Sequence, residues 1–439
     1  MSVQRYFSGT TAVKIAASAE SAVANGRMTG GQQLPPVRTL AQQLGVSPST
    51  VAAAYRILQE RGIAVADGRR GTIVRHASPA APPAPALLPP HVRDLASGNP
   101  ASDLLPDLAP FLCRLDSGQR LYRDELNDPE LVALARTQFV ADGVSAGSVA
   151  VVSGALDGIE RVLREQLRPG DRVLVEDPCF TGIADLLHAL SLIPVPVALD
   201  DEGVLPSALQ HAGTADAIIV TPRAQNPTGA AFTERRGRQL RTLFRQRPDL
   251  LVIEDDHAGP VAGAPYVTIV DASRARWAIV RSVSKSLGPD LRLAIMAGDA
   301  QTIARVEGRQ TLGIRWVSHI LQRLVIALWQ DKGVQKQLAR AERTYTKRRD
   351  ALLSALHGQG IAAHGTSGLN IWIPLPEESA VVQALFQRGW AVAAGERYRI
   401  KTPPAIRVTI ASLDAADALA FVADLAEAVR PSQRRAAGT

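Results

Sequence analysis

Apolar residues fall along this chain in two rhythms. Through the first 75 residues they recur at helical spacing. Val37, Leu40, Ala41 and Leu44 share one face of a helix predicted over 36–44 and ended by Gly45. Two residues later Ser47 can cap a further helix with Pro48 at its first position, and Val51, Tyr55 and Leu58 form its buried stripe. A helix over 11–25, closed by Gly26, precedes both, and 63–65 and 72–74 read as short strands joined at 67–71. Two helices joined by a short glycine turn make a helix-turn-helix, and the hairpin adds a wing with Arg69 and Arg70 at its tip. Beyond residue 95 the rhythm changes to short continuous apolar runs, the pattern of buried strands: 217–220, 251–253 and 277–280.

Between the two patterns, residues 76–90 show no period and hold six prolines. They predict a semi-extended spacer of roughly 40 Å at about 3 Å per residue. The division expected is 1–75 for a small basic domain, 76–94 for the linker, 95–430 for a large domain and 431–439 for a flexible tail. At 439 residues and 46% hydrophobic content the chain can bury a large core. No run of eighteen apolar residues occurs and the N-terminus lacks an export signal, so no membrane role and a cytoplasmic location are expected. Cys113 and Cys179 are too few for a disulfide framework, and eight scattered histidines give no metal spacing.

Charge separates the two regions further. Residues 1–75 carry nine Lys and Arg against three acids, which is +6 of the chain's formal +7. A basic module on a nearly neutral body is the footprint of a nucleic-acid binder, since phosphates are met by Lys and Arg. In a helix-turn-helix the second helix would present Ser47, Ser49, Thr50 and Ala53 to the major groove of double-stranded DNA, with Arg38 and the wing (Arg69, Arg70, Gly71) beside it.

The large region carries chemistry at its strand ends. Lys285 lies in 281–292, after small hydroxyl residues and seven positions before Arg292. Its amine can form a Schiff base with an aldehyde cofactor, while Ser282, Ser284 and Arg292 are placed to hold that cofactor's phosphate. Asp255, thirty residues upstream at the end of 251–256, can keep a pyridine nitrogen protonated. Asn226, in the 221–229 loop after another strand, can donate its amide to a ring phenolate oxygen. Each feature alone has a plain structural alternative: a solvated lysine, a capping acid, a common turn. The ordered set is much rarer.

From about 95 to 430 the chain resembles the fold-type I aminotransferases, which hold pyridoxal 5'-phosphate. The resemblance implies an α/β domain with a mostly parallel sheet and a smaller α+β C-terminal subdomain. It adds phosphate-binding Ser153, Gly154 and Ala155 in 151–156, and Phe180 in 176–180 as the ring stacked on the pyridine. It makes Tyr122 the tyrosine that reaches a neighbouring subunit's phosphate and Arg407 the grip on a substrate carboxylate. It departs from the family where Phe180 replaces tyrosine and where His257, a group titrating near neutrality, replaces the tyrosine at the phenolate. Residues 10–75 resemble the GntR-type winged helix through 34–41, 45–47 and 70–72, with Pro48 standing where arginine is common.

The two together are similar to the MocR regulators. That resemblance implies a transcriptional regulator with pyridoxal phosphate on Lys285 and two winged helices on one head-to-tail homodimer. Its effector is an amine or amino acid that displaces Lys285, or a B6 vitamer itself, with vitamin B6 or amino-acid metabolism genes as targets. A working aminotransferase with a DNA-binding module and residual turnover, and a repressor that has lost the cofactor, are the rivals.

Overall fold

The computed structural model describes residues 6–25, 27–61, 63–66, 71–74, 88–116, 118–271 and 273–436. Gly26, the wing tip with Arg69 and Arg70, most of the spacer and the last three residues lie outside the described residues. The chain divides into two compact units, one built on the N-terminal 86 residues and a larger one holding nearly all the rest.

In the small unit, α1 (Ala12–Ala24), α2 (Val37–Leu44) and α3 (Pro48–Glu60) precede the strands β1 (Ala64–Ala66) and β2 (Thr72–Val74). Local chemistry sets the helix ends. Thr11 accepts from the Lys14 amide to start α1, and Gly45 at φ 65° ends α2 in the left-handed region. Ser47 caps α3 by accepting from the Thr50 amide at 3.2 Å, with Pro48 in the first turn. Ile15, Leu40, Val51, Tyr55, Leu58 and Val74 close one core, and the Tyr55 hydroxyl donates to the Pro35 carbonyl at 2.6 Å. The hairpin pairs antiparallel one residue later than the sequence suggests, over 64–66, and Gly71 enters it at φ 83°.

The larger unit opens with β3 (Arg93–Leu95), α4 (Ala109–Leu112) and α5 (Pro129–Ala141). Its central part runs β4 (Ser148–Val152), α6 (Ala155–Gln166), β5 (Arg172–Asp177), α7 (Thr181–Ala189), β6 (Ile193–Asp200), β7 (Gly203–Val204) and α8 (Pro206–His211). It continues as β8 (Ala217–Val220), α9 (Glu234–Arg245), β9 (Leu251–Asp256), β10 (Trp277–Ser282), β11 (Ala294–Gly298) and α10 (Ala300–Thr311). The C-terminal part is α11 (His319–Gln330), α12 (Lys332–Gly358), β12 (Asn370–Pro374), α13 (Glu378–Gln387), β13 (Trp390–Ala394), β14 (Ala405–Thr409) and α14 (Ala415–Ala436).

Eight strands form one sheet in the order β4-β11-β10-β9-β8-β5-β6-β7. Strands β5, β8, β9 and β10 are mutually parallel, and β11 runs against both its neighbours. The three apolar runs of the sequence are thus adjacent strands, buried on both faces as parallel strands are. Their carboxyl ends, which carry the candidate residues, meet on one side of the sheet, where open α/β sheets bind ligands. A second sheet, β12-β14-β13-β3, carries Arg407 on β14. Helix α14 reaches Ala436, six residues into the stretch expected as a tail.

Candidate functional site

Residues scattered over more than 300 positions in the sequence converge at those strand ends. Lys285 follows β10, and its Nζ donates to the Gly98 carbonyl at 2.7 Å. Burial, and next the nearby charge of Arg407, pull the Lys285 ammonium down to about 8, so the amine sheds its proton far more readily than a surface lysine. Asp255 is the penultimate residue of β9, and its Oδ1 is buried with no partner. Burial first, then the charge of Asp256, push its carboxyl up to about 7. An acceptor left bare inside a protein is costly unless something completes it. A pyridinium N–H is the donor such an atom fits, so the pocket passes this test for pyridoxal phosphate.

Two further groups lie near Lys285 and Arg407. Asn226 accepts through Oδ1 from Arg407 Nη1 at 3.1 Å, which orients the side chain and leaves its amide to donate elsewhere. His257 follows Asp256. Here the sequence expectation of a group titrating near neutrality needs correcting: burial and the charge of Lys285 hold the imidazole down to about 4. The ring is neutral at physiological pH and can serve as a steady donor or acceptor.

The candidate phosphate segment around Gly154 is shaped by local geometry. Gly154 caps α6 at φ 103°, a backbone only glycine adopts readily, and α6 begins at Ala155. A Cβ at Gly154 would lie 2.8 Å from Arg292 Nη2. Arg292 itself is left-handed at φ 43°, which aims its guanidinium across the start of α6. Asp157 occupies the Ser153 amide at 3.0 Å and is held in turn by Arg161. Ser282 Oγ donates to Ser284 Oγ at 3.1 Å. The Phe180 ring lies close over Gly182: a Cβ there would meet the ring at 2.7 Å and Leu156 at 2.9 Å.

Arg407 is almost wholly buried. Its Nη2 donates to the Ala96 carbonyl, and its guanidinium lies 4.9 Å from the Tyr398 ring centroid. Tyr398 was not anticipated; nor was the loop 96–98, whose carbonyls hold both Lys285 and Arg407. Asp177 latches the neighbouring segment by accepting from the amides of Ile400, Lys401 and Thr402. Tyr122 does not join this cluster within the chain. It is 74% exposed and packs edge-on against Trp316 at 5.8 Å, beneath the Arg315 guanidinium.

On the small unit, Ser49 and Arg56 are exposed on α3, while Val51, Ala54 and Tyr55 point inward. Ser47 Oγ lies 2.7 Å from Ser49 Oγ and 2.8 Å from Thr50 Oγ1, a hydroxyl cluster at the helix start. Ala53 is half-buried, and Arg38 is exposed on α2. Arg56 shares the face of Ser49 and Ala53 at i+7 and i+3, so helical spacing alone could have nominated it.

Comparison with known proteins divides the chain in the same place. Residues 107–425 match the aminotransferase class I and II family, and residues 11–74 match the bacterial regulatory proteins of the gntR family. The vitamin B6 salvage pathway transcriptional repressor PtsJ of Salmonella typhimurium is 38% identical over 431 residues, covering 96% of this chain and 99% of that protein. The HTH-type transcriptional regulator TauR of Rhodobacter capsulatus is 28% identical over 401 residues, covering 81% of this chain and 82% of its own. Among solved structures, the kynurenine aminotransferase of Pyrococcus horikoshii superposes with a TM-score of 0.71 at 22% identity, over 78% of this chain and 91% of its own, which speaks to fold.

Proposed function

This chain belongs to the MocR subfamily of GntR-type transcriptional regulators, and we propose that occupancy of the pocket at Lys285 by a B6 vitamer sets its grip on operator DNA. The protein is a DNA-binding regulator, and its aminotransferase-like domain is a pyridoxal 5'-phosphate domain. The observation that carries the proposal is the bare, buried Asp255 Oδ1 between strand ends that also bear Asn226 and Lys285. Kinship with a B6 salvage repressor supports vitamin B6 genes as targets.

In this reading Asp255 faces the pyridine nitrogen, Asn226 and His257 the phenolate oxygen, and Phe180 the ring face. Ser153, Gly154, Ala155, Ser282, Ser284 and Arg292 receive the phosphate, helped by the positive end of α6. The bound cofactor supplies an aldehyde, and Lys285, its charge weakened by burial, supplies the amine that tethers it. Arg407 binds a carboxylate bidentately once that carboxylate displaces the Ala96 carbonyl. An amino acid effector would use that grip; a vitamer alone would leave it closed.

A homodimer completes the reading. Leu121, Tyr122, Leu312 and Ile314 are large apolar residues left exposed, and Tyr122 would bring its hydroxyl to a neighbouring subunit's phosphate. Two winged helices on such a dimer read two half-sites, with Arg38, Ser47, Ser49, Thr50, Ala53, Arg69, Arg70 and Gly71 toward DNA. No helix among the described residues is long and apolar enough to cross a membrane; a cytoplasmic place follows from the DNA-bound role.

One experiment tests the whole. Pyridoxal phosphate and candidate amino acids are titrated into the protein while cofactor absorbance and promoter occupancy are followed together. Occupancy that tracks the vitamer supports the proposal. Occupancy that moves only with an amino acid shifts the effector to that class, and steady multi-turnover product with a keto acid makes the protein an aminotransferase.

A further inference from the structure

We propose that Asp256 is a positioning residue for the cofactor: one buried carboxylate that clamps together the three strand ends on which the cofactor-facing groups ride. The inference deepens the reading above and rests on it.

Asp256 is fully buried. Its Oδ1 accepts from Arg223 Nε at 2.8 Å, and its Oδ2 from Arg223 Nη2 at 2.9 Å and Arg281 Nε at 2.7 Å. The sequence positions of these partners give the cluster its meaning. Arg223 lies in the 221–229 loop, three residues before Asn226. Arg281 immediately precedes Ser282 and stands four residues before Lys285. Asp256 itself separates Asp255 from His257. Side chains alternate along a strand, so Asp255 and Asp256 leave β9 on opposite faces: one meets the cofactor pocket and the other locks the backbone behind it. Two guanidinium forks converging on a single carboxylate fix three backbone segments relative to one another, because each fork is planar and directional.

The cluster is charge-balanced and buried except on the side of Asp142. Arg281 Nη2 reaches Asp142 Oδ2 at 2.6 Å, which gives two arginines for two acids. The Arg281 guanidinium lies 4.7 Å from the Phe139 ring centroid and 5.1 Å from that of Tyr266, and Arg223 lies 5.2 Å from the same Tyr266 ring. Burial alone would raise the Asp256 carboxyl, yet the two arginines override it and keep the group ionised. A network this buried contributes little net stability over apolar side chains of the same volume. What it adds is fixed geometry, and the geometry it fixes is that of Asn226, Asp255, His257 and Ser282.

The test uses the full-length protein and pyridoxal phosphate as probe. Arg281→Lys keeps the charge but loses the fork, so Asp256 and Asp142 cannot both be held. The double variant Asp256→Asn with Arg223→Gln removes one opposite pair and leaves Arg281 with Asp142. Arg236→Lys, which loosens the separate pair with Asp200, controls for general destabilisation. Both test variants are expected to bind pyridoxal phosphate at least tenfold more weakly and to shift the pH at which the bound-cofactor absorbance changes, while the control keeps wild-type affinity and pH profile. If the double variant fails to fold, Arg281→Lys decides. Wild-type affinity and profile in the test variants, or equal changes in the control, overturn the inference. A wild-type protein that takes up no cofactor would instead overturn the reading on which it rests.

Discussion

The candidate cofactor pocket and the candidate recognition helix hold their polar groups in opposite ways. In and behind the pocket, Arg407, Asp255 and Asp256 are buried, and most polar atoms are tied to partners far away in sequence: Lys285 to Gly98, Arg407 to Ala96 and Asn226, and behind them Asp256 to Arg223 and Arg281. At the start of α3 the hydroxyls of Ser47 and Ser49 are exposed and that of Thr50 belongs to a half-buried residue, and they satisfy one another within three residues. Preorganisation over long sequence distance suits a site that must present fixed donors to a rigid ring. Local satisfaction suits a surface that exchanges its bonds with water for bonds to DNA. Substitutions should follow the same division: large, coupled effects in the pocket, small and separable ones on the helix.

The most severe test of that contrast is Lys285→Ala. It should abolish the near-visible absorbance of bound pyridoxal phosphate and any response of DNA binding to the vitamer, with DNA binding itself retained. Absorbance titration beside a gel-shift series reads both. If the response survives, the pocket is not what the DNA-binding unit senses.

Next in size is Asp255→Asn, whose effect reverses between the two states of the protein. Without cofactor the folded carboxyl sits at about 7 against an ordinary 3.8. Between those values the folded state keeps a proton that the unfolded chain has released, so stability falls as pH rises from about 4 to about 7. Asparagine has no such dependence. The cofactor-free variant should therefore gain on the native protein as pH is raised, by up to roughly 4 kcal/mol at pH 8 for a displacement of that size. It should also bind pyridoxal phosphate weakly at every pH. Urea unfolding of cofactor-free protein at pH 5 and pH 8 measures the first effect; an equal difference at the two values would show that Asp255 is not held apart from water. A group that weakens the empty fold and strengthens the filled one is expected of a binding site.

The contrast also governs what could be read from sequence. The α3 region was legible almost to the residue, because a serine cap, a proline at the first turn and a 3.6-residue stripe are local signals. The order Asn226, Asp255, Lys285 was legible because each ends an apolar run, and those runs became adjacent parallel strands. The Arg223–Asp256–Arg281 cluster was not legible. Its partners lie 25 and 33 residues from Asp256, and their pairing depends on strand order, which no local period encodes. Nor could the neutral state of His257 be read, since burial depends on what packs around it. Tyr398, beneath Arg407, belongs to a loop set by Asp177 from another part of the fold.

A smaller effect is expected from Arg38→Ala on the exposed face of α2. If Arg38 meets a phosphate, binding should weaken about equally on operator and on unrelated DNA, and the slope of log K against log salt should drop by about 1. A loss confined to operator sequences would place Arg38 on a base edge. Cofactor absorbance should be unchanged in either case.

The smallest effect belongs to Ser47→Ala, and it divides folding from recognition within a single hydroxyl. Ser47 accepts from the Thr50 amide and stands within hydrogen-bond distance of the Ser49 and Thr50 hydroxyls. Removing a cap of this kind costs about 1 kcal/mol of helix stability, which would lower the melting temperature of the N-terminal unit by a few degrees. Ser49→Ala, on the same exposed turn, removes no cap and should leave melting alone while changing operator affinity. If Ser47→Ala and Ser49→Ala weaken DNA binding alike but only the first lowers the melting temperature, the hydroxyls act together at the groove and the cap is a separate duty of Ser47. If Ser47→Ala leaves operator affinity intact, its hydroxyl is occupied by the helix alone and recognition passes to Ser49, Thr50 and Arg56.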